Sequence, residues 1–253
     1  MRAAIAVATA TAACGRLGFD PLVAPRDAAV DVPPDSPATI TLVSVTAPGY
    51  QKAAQVTDSV TGTLGDFLVA AIYWDQAPDA ITLTDTLGLP WTSLAVQGIA
   101  TGGLGCGGPT GNATGAQLWY APVTVAGPNS ITAAQTSGTQ PLGLFVLEYR
   151  GIDNGNAIDT TGAQLAPAAS NDVFMPALTT HDDDVIVVLF SDTINIGTMT
   201  GTPGFTIEAH DDQFPNLLED AIVPAGTYMP TAALPPGQDD ACWVGTAMAL
   251  RAH

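Results

Sequence analysis

Phe67-Leu68-Val69-Ala70-Ala71-Ile72-Tyr73 and Val185-Ile186-Val187-Val188-Leu189-Phe190 are apolar at every position. A strand with one wet face alternates polar and apolar residues, because successive side chains point to opposite sides. Runs without alternation predict central strands covered on both faces, or strands that divide Ala and larger residues between two packed layers. Outward from them, β-branched and aromatic runs stand at 39–47, 66–74, 80–85, 91–97, 116–121, 130–135, 142–150, 172–178, 185–191, 206–209, 218–223 and 242–251, separated by Gly, Pro, Asn and Asp clusters. Nowhere do apolar residues recur at helical spacing over three turns without a Gly or Pro between them. The expectation is an all-β, antiparallel fold of about 10–14 strands, a sandwich or barrel.

Hydrophobic residues make up 47% of the chain and charged residues 12%, which supplies a core and excludes disorder for the body. Acidic residues number 24 against 6 basic ones, a formal net charge of −18, with Lys52 the sole lysine. Such a field repels a phosphate backbone, so nucleic acid is excluded as a partner. The acids are nearly all Asp, with Glu148, Glu208 and Glu219 the exceptions, which places the charge in turns.

Met1-Arg2 followed by uncharged Ala3 to Ala13 reads as an export signal. Ala12-Ala13-Cys14 resembles the processing site of bacterial lipoproteins, with Thr11 where that family usually has a large aliphatic residue. The resemblance implies removal of 1–13, a lipid on Cys14, and membrane attachment through that lipid alone. Residues 14–37, with Pro21, Pro25, Pro33, Pro34 and Pro37, read as lipid attachment and an extended tether. Residues 38–253 are expected to form a single β-sandwich domain, exported to the outer membrane, cell surface or extracellular space. Cys106, in a glycine-rich loop, and Cys242 are then available for one disulfide in an oxidising compartment, the alternative being two free thiols.

Gly65 to Trp74, Thr84-Asp85-Thr86-Leu87-Gly88 leading to Trp91, Leu118-Trp119-Tyr120-Ala121, Glu148-Tyr149-Arg150-Gly151-Ile152-Asp153 and Trp243 to Leu250 together resemble a jelly-roll-like domain of secreted bacterial proteins. That resemblance implies a surface location and adhesion or ligand binding, with no catalytic residue to carry over. Asp182-Asp183-Asp184-Val185-Ile186-Val187 echoes Gly65-Asp66-Phe67-Leu68-Val69. The echo is one strand long, and any antiparallel sandwich repeats its strand grammar, so a duplication is not expected from it.

No Gly-x-Ser-x-Gly elbow, His-Glu-x-x-His, phosphate loop or dinucleotide glycine pattern occurs. Glu148 is the best single candidate for glycosidase chemistry, although alternation equally makes it an outward residue balanced by Arg150. Calcium is the better expectation, because Asp-rich turns supply hard oxygen ligands: Asp75 with Asp79, Asp153 with Asn154 and Asp159, Asp211 with Asp212, and Asp239 with Asp240. The four tryptophans fall in or beside apolar runs and read as core. The function expected is an extracellular or cell-surface binding or structural module for a glycan, matrix or surface protein. The alternatives are a secreted carbohydrate-active hydrolase, which needs two convergent carboxylates in a groove, and a subunit of a surface assembly.

Overall fold

The two apolar runs become the middle strands of two separate antiparallel sheets. The structure, a computed structural model, describes residues 39–75, 80–99, 114–136, 140–166, 172–192, 197–211, 213–236 and 242–253. These belong to one compact unit, Pro37–His253. In chain order the first nine strands are β1 Thr41–Lys52, β2 Gln55–Gly62, β3 Phe67–Asp75, β4 Ile81–Asp85, β5 Thr92–Ser93, β6 Gln97–Ile99, β7 Thr114–Pro122, β8 Gly127–Gln135 and β9 Pro141–Arg150. The rest are β10 Ile158–Leu165, β11 Asp172–Phe174, β12 Leu178–Thr180, β13 Asp184–Ser191, β14 Thr206–His210, β15 Leu217–Val223, β16 Gly226–Tyr228, β17 Thr231–Ala233 and β18 Val244–Arg251.

The first sheet runs β1-β9-β3-β7-β5, with β6 also on β7, and the second runs β10-β18-β13-β15-β14. Phe67, Val69, Ala71 and Tyr73 of β3 pack, with Phe145, Leu147 and Tyr149 of β9, into a core shared with the second sheet. The alternate residues Leu68, Ala70, Ile72 and Trp74 pack instead on Val56, Val60, Ile131 and Ala133 of a small sheet β2-β8-β4. Across the second sheet, two ribbons, β11-β17 and β12-β16, add Val173, Leu178 and Ala232 to the shared core. This four-layer stack explains why the two runs lack alternation: both faces of each middle strand are dry.

The two sheets have the same connectivity. Each places its first strand at one edge, then its last strand, then its middle strand, so β1-β9-β3-β7 repeats as β10-β18-β13-β15. Register follows: Phe67 faces Tyr149 and Pro122, as Val185 faces Leu250 and Ile222. In the covering layer Val56 faces Ala133 and Gly62 faces Gly127, as Val173 faces Ala232 and Thr180 faces Gly226. The one-strand echo in the sequence is therefore the trace of a repeated half, a correction to the expectation of chance similarity.

All twelve expected strands are present, with 91–97 and 172–178 each divided in two. The described residues hold eighteen strands, more than the 10–14 expected. β2 and β10 carry few large apolar residues, and β16 and β17 are three residues each, so neither pair announces itself by composition. The Thr84-to-Gly88 motif is structural: Asp85 accepts from the amides of Leu87 and Leu89 and from Trp91 Nε1, at 2.7, 3.0 and 2.7 Å. Gly88 ends that turn at a φ of 70°, a region that favours glycine.

Candidate functional site

The two halves differ beside a groove on the second half. In the first half β4 completes the small sheet, with Thr82 facing Ala134 and Leu83 buried in the core. In the second half the matching segment makes one bridge, Thr200 to Ala233, and continues as Gly201-Thr202-Pro203. Gly201 thus stands where Leu83 does, and Glu219 stands where Trp119 does on the neighbouring strand. The changes are coupled, because a Cβ on Gly201 would lie 2.5 Å from Glu219 Oε2.

Glu219, fully buried, accepts from the Thr202 amide at 2.8 Å and from the Thr202 hydroxyl. Burial raises its pKa, and the two Thr202 bonds oppose that rise. Thr202 Oγ1 also lies 2.7 Å from the Thr231 carbonyl oxygen, an alternative acceptor for its one proton, and accepts from the Thr231 amide at 2.8 Å. The loop is thereby fixed as one wall of an open groove of about 490 Å³, and β11 with β17 forms the other. Asp172, Phe174, Thr200, Gly201, Pro203 and Thr231 line it. Phe174 is held edge-on to buried Trp243, ring centroids 5.6 Å apart. A smaller cavity of about 260 Å³, walled by Ile40, Ile222, Val223 and Pro224, is mainly apolar.

No family model, curated protein or solved structure matches the chain. The likeness to secreted jelly-roll-like domains therefore stands for the all-β, multi-sheet architecture and no further.

The described residues among those expected to carry chemistry make the following contacts. Glu148 is buried and accepts from Ser44 Oγ at 3.2 Å and the Thr63 amide at 3.0 Å, tying β1 to the turn before β3. Arg150 does not balance it: the guanidinium grips Asp66, Nε to Oδ1 at 3.0 Å and Nη2 to Oδ2 at 2.8 Å. Asp153 makes a local turn, accepting from the Gly155 and Asn156 amides. Asp159 lies on a strand, not in a loop, and is bound by Arg251 and His181. Asp211 accepts from Tyr73 Oη at 3.0 Å and the Gln213 amide at 2.8 Å. Asp75 lies near enough to act with Asp211 on the Tyr50 phenol, whose pKa is raised by burial first and by these charges second. Asp79, Asp212, Asp239, Asp240, Cys14 and Cys106 fall outside the described residues, and Cys242 is buried just before β18. Among the described residues no three His, Cys, Asp or Glu side chains stand close enough to hold a metal ion.

Two pairs of touching acids were missed in the sequence. Glu208 on β14 meets Asp220 on β15, and Tyr149 Oη donates to Asp220 Oδ2 at 2.6 Å. Burial, then the charge of and bond to Asp220, push Glu208 up to about 7. Below about pH 7 Glu208 therefore carries a proton that it can donate to Asp220. Asp184 meets Asp159 in the same manner. Direct contact is closer than the roughly 5 Å or more that glycoside cleavage requires between its carboxyls. Asp220 stands where the first half has Tyr120, a departure from the repeat, whereas Asp184 stands where the first half also has an acid, Asp66.

Proposed function

We propose that this chain is an exported binding module whose second half takes a neutral, hydroxyl-rich ligand, an oligosaccharide, in the groove between β11-β17 and Thr200 to Pro203. The observation that supports this is the coupled replacement of Leu83 and Trp119 by Gly201 and Glu219, a departure of the second half from the first that lies beside a walled groove. Its lining combines an aromatic edge with threonine hydroxyls, the mixture that holds and orients a small polar ligand. The net charge of −18 disfavours polyanions.

A glycan array on the purified protein, followed by titration of any hit against Phe174→Ala and Thr200→Val, tests the reading. Loss of affinity in both variants is expected, with an unchanged melting temperature for Thr200→Val as the folding control. Binding that neither variant weakens, or no binding at all, rejects the groove. Release of reducing sugar by the protein moves the assignment to the hydrolase. Export belongs to the same proposal: a lipid on Cys14 and a Cys106–Cys242 bridge, read by mass of the mature N-terminus and by non-reducing peptide mapping. Calcium, in turn, is tested by melting in EDTA against millimolar calcium.

A further inference from the structure

Asp184 and Asp66 hold equivalent places at the start of the two middle strands, with Arg251 and Arg150 opposite them. Asp66 is bound fork to fork by its arginine. Asp184 is not. Arg251 turns instead to Asp159, at the irregularity between Ile158 and Thr160 on β10, with Nε at 3.1 Å and Nη2 at 2.6 Å from Oδ1. His181 closes the other side, its amide 2.9 Å from Oδ2 and its ring nitrogen 3.0 Å from both oxygens.

Asp184 is left fully buried, and among the described residues no donor reaches either of its oxygens. An ionised carboxylate so placed is costly, whereas a protonated one can donate to Asp159. We infer that Asp159 and Asp184 share one proton and form a latch between edge strand β10 and middle strand β13, closed while Asp184 is an acid and weakened when it ionises.

The charged groups around the pair support this. β10 brings Asp159; the turn before β13 brings His181, Asp182 and Asp183; β18 brings Arg251; the β15 residue facing Asp184 is Val223. Burial, then the bond to and charge of Asp159, raise Asp184 to about 7. Burial also pushes Asp159 upward, but the bonds from Arg251, His181 and Asp184 outweigh it and hold Asp159 below the usual carboxylate range. The proton therefore sits on Asp184, and Asp159 is the ionised partner.

For Asp184 the folded value lies above the unfolded one, near 4. Its contribution is whole below the unfolded value and is lost as pH rises through about 7. Local opening of β10 releases that proton between the two values, so protection should fall by up to about tenfold per pH unit there and level off above 7. Opening uncovers the edge of β18, a row of backbone groups able to pair with another chain.

Hydrogen exchange of the Thr160 to Leu165 amides, corrected for intrinsic rate and followed from pH 5 to 8.5, tests the latch. Wild type should lose protection up to pH 7 and then reach a plateau. Asp184→Asn, a donor to Asp159 at every pH, should flatten the curve. A wild-type profile without slope, or the same slope in Asp184→Asn, overturns the inference. If the variant does not fold, the carboxyl carbon of Asp184 is titrated by NMR in wild type: a midpoint near 7 supports the latch and one near 4 overturns it.

Discussion

Tyr149 and Tyr73 act alike at two points of the seam between the main sheets. Each hydroxyl leaves the first sheet and donates to a buried carboxylate of the second, Asp220 at 2.6 Å and Asp211 at 3.0 Å. Burial first, and the facing carboxylate second, push both phenols well above their ordinary value, so both stay protonated donors. Tyr149→Phe should cost about 1–3 kcal/mol, because it strips a buried acceptor of a donor. A lower urea midpoint at unchanged slope is the expected reading; an unmoved midpoint would mean that Glu208 alone satisfies Asp220. Such pairs were not legible in the sequence, since alternation predicts the face a residue takes and not its partner. Arg150 shows the limit: its expected neighbour was Glu148, two positions away, and its partner is Asp66 on an adjacent strand. Glu148 and Asp159 are similar cases, their hydrogen-bond partners Thr63 and Arg251 being distant in the chain.

At the scale of the strand, glycines make room for rings. Gly143 faces Tyr73 and Gly115 faces Trp74 across the ladder, and a Cβ on either would lie 2.0 Å from the facing ring. The side chain one strand lacks is supplied by its neighbour, and the ring of Tyr73 is aimed at Asp211 as a result. Gly143→Ala should displace that ring, costing about 1–3 kcal/mol for overpacking, and more if the bond to Asp211 also breaks. Thermal melting beside Tyr73→Phe separates the terms, and a Gly143→Ala protein as stable as wild type would show that the ring is free to move. The strands themselves were legible wherever apolar content or β-branching was dense, as in 67–73 and 185–190. β2 and β10 were not, because one contributes only Val56 and Val60 to the core and the other is a mainly polar edge. The groove was the least legible part, since nothing local to Gly201 announces that Glu219 occupies the space above it.

For the whole molecule, the repeated connectivity raises the question of whether each half is a folding unit. The core argues that it is not. Phe67, Val69, Phe145 and Leu147 from the first half and Val185, Val187, Leu218 and Met248 from the second belong to one continuous cluster, each almost wholly buried. Cut between β9 and β10, either half would expose the apolar inner face of its main sheet, a patch far larger than a soluble monomer usually tolerates. Burial of a Leu or Phe side chain is worth about 1.5–3 kcal/mol, so losing a handful of such contacts exceeds the roughly 5–15 kcal/mol that holds an ordinary domain together. The sequence shows so little of the repeat because few side chains correspond: Asp66 and Arg150 recur as Asp184 and Arg251, but Leu83 against Gly201, Trp119 against Glu219 and Tyr120 against Asp220 share no chemistry. Residues 39–153 and 154–253 expressed separately should each lack a cooperative unfolding transition. Expressed together, they should recover as a soluble complex that melts once. A soluble, cooperatively melting monomer from either fragment alone would mean that the covering layer, not the shared seam, provides the main stability, and the two halves would then be independent domains in contact.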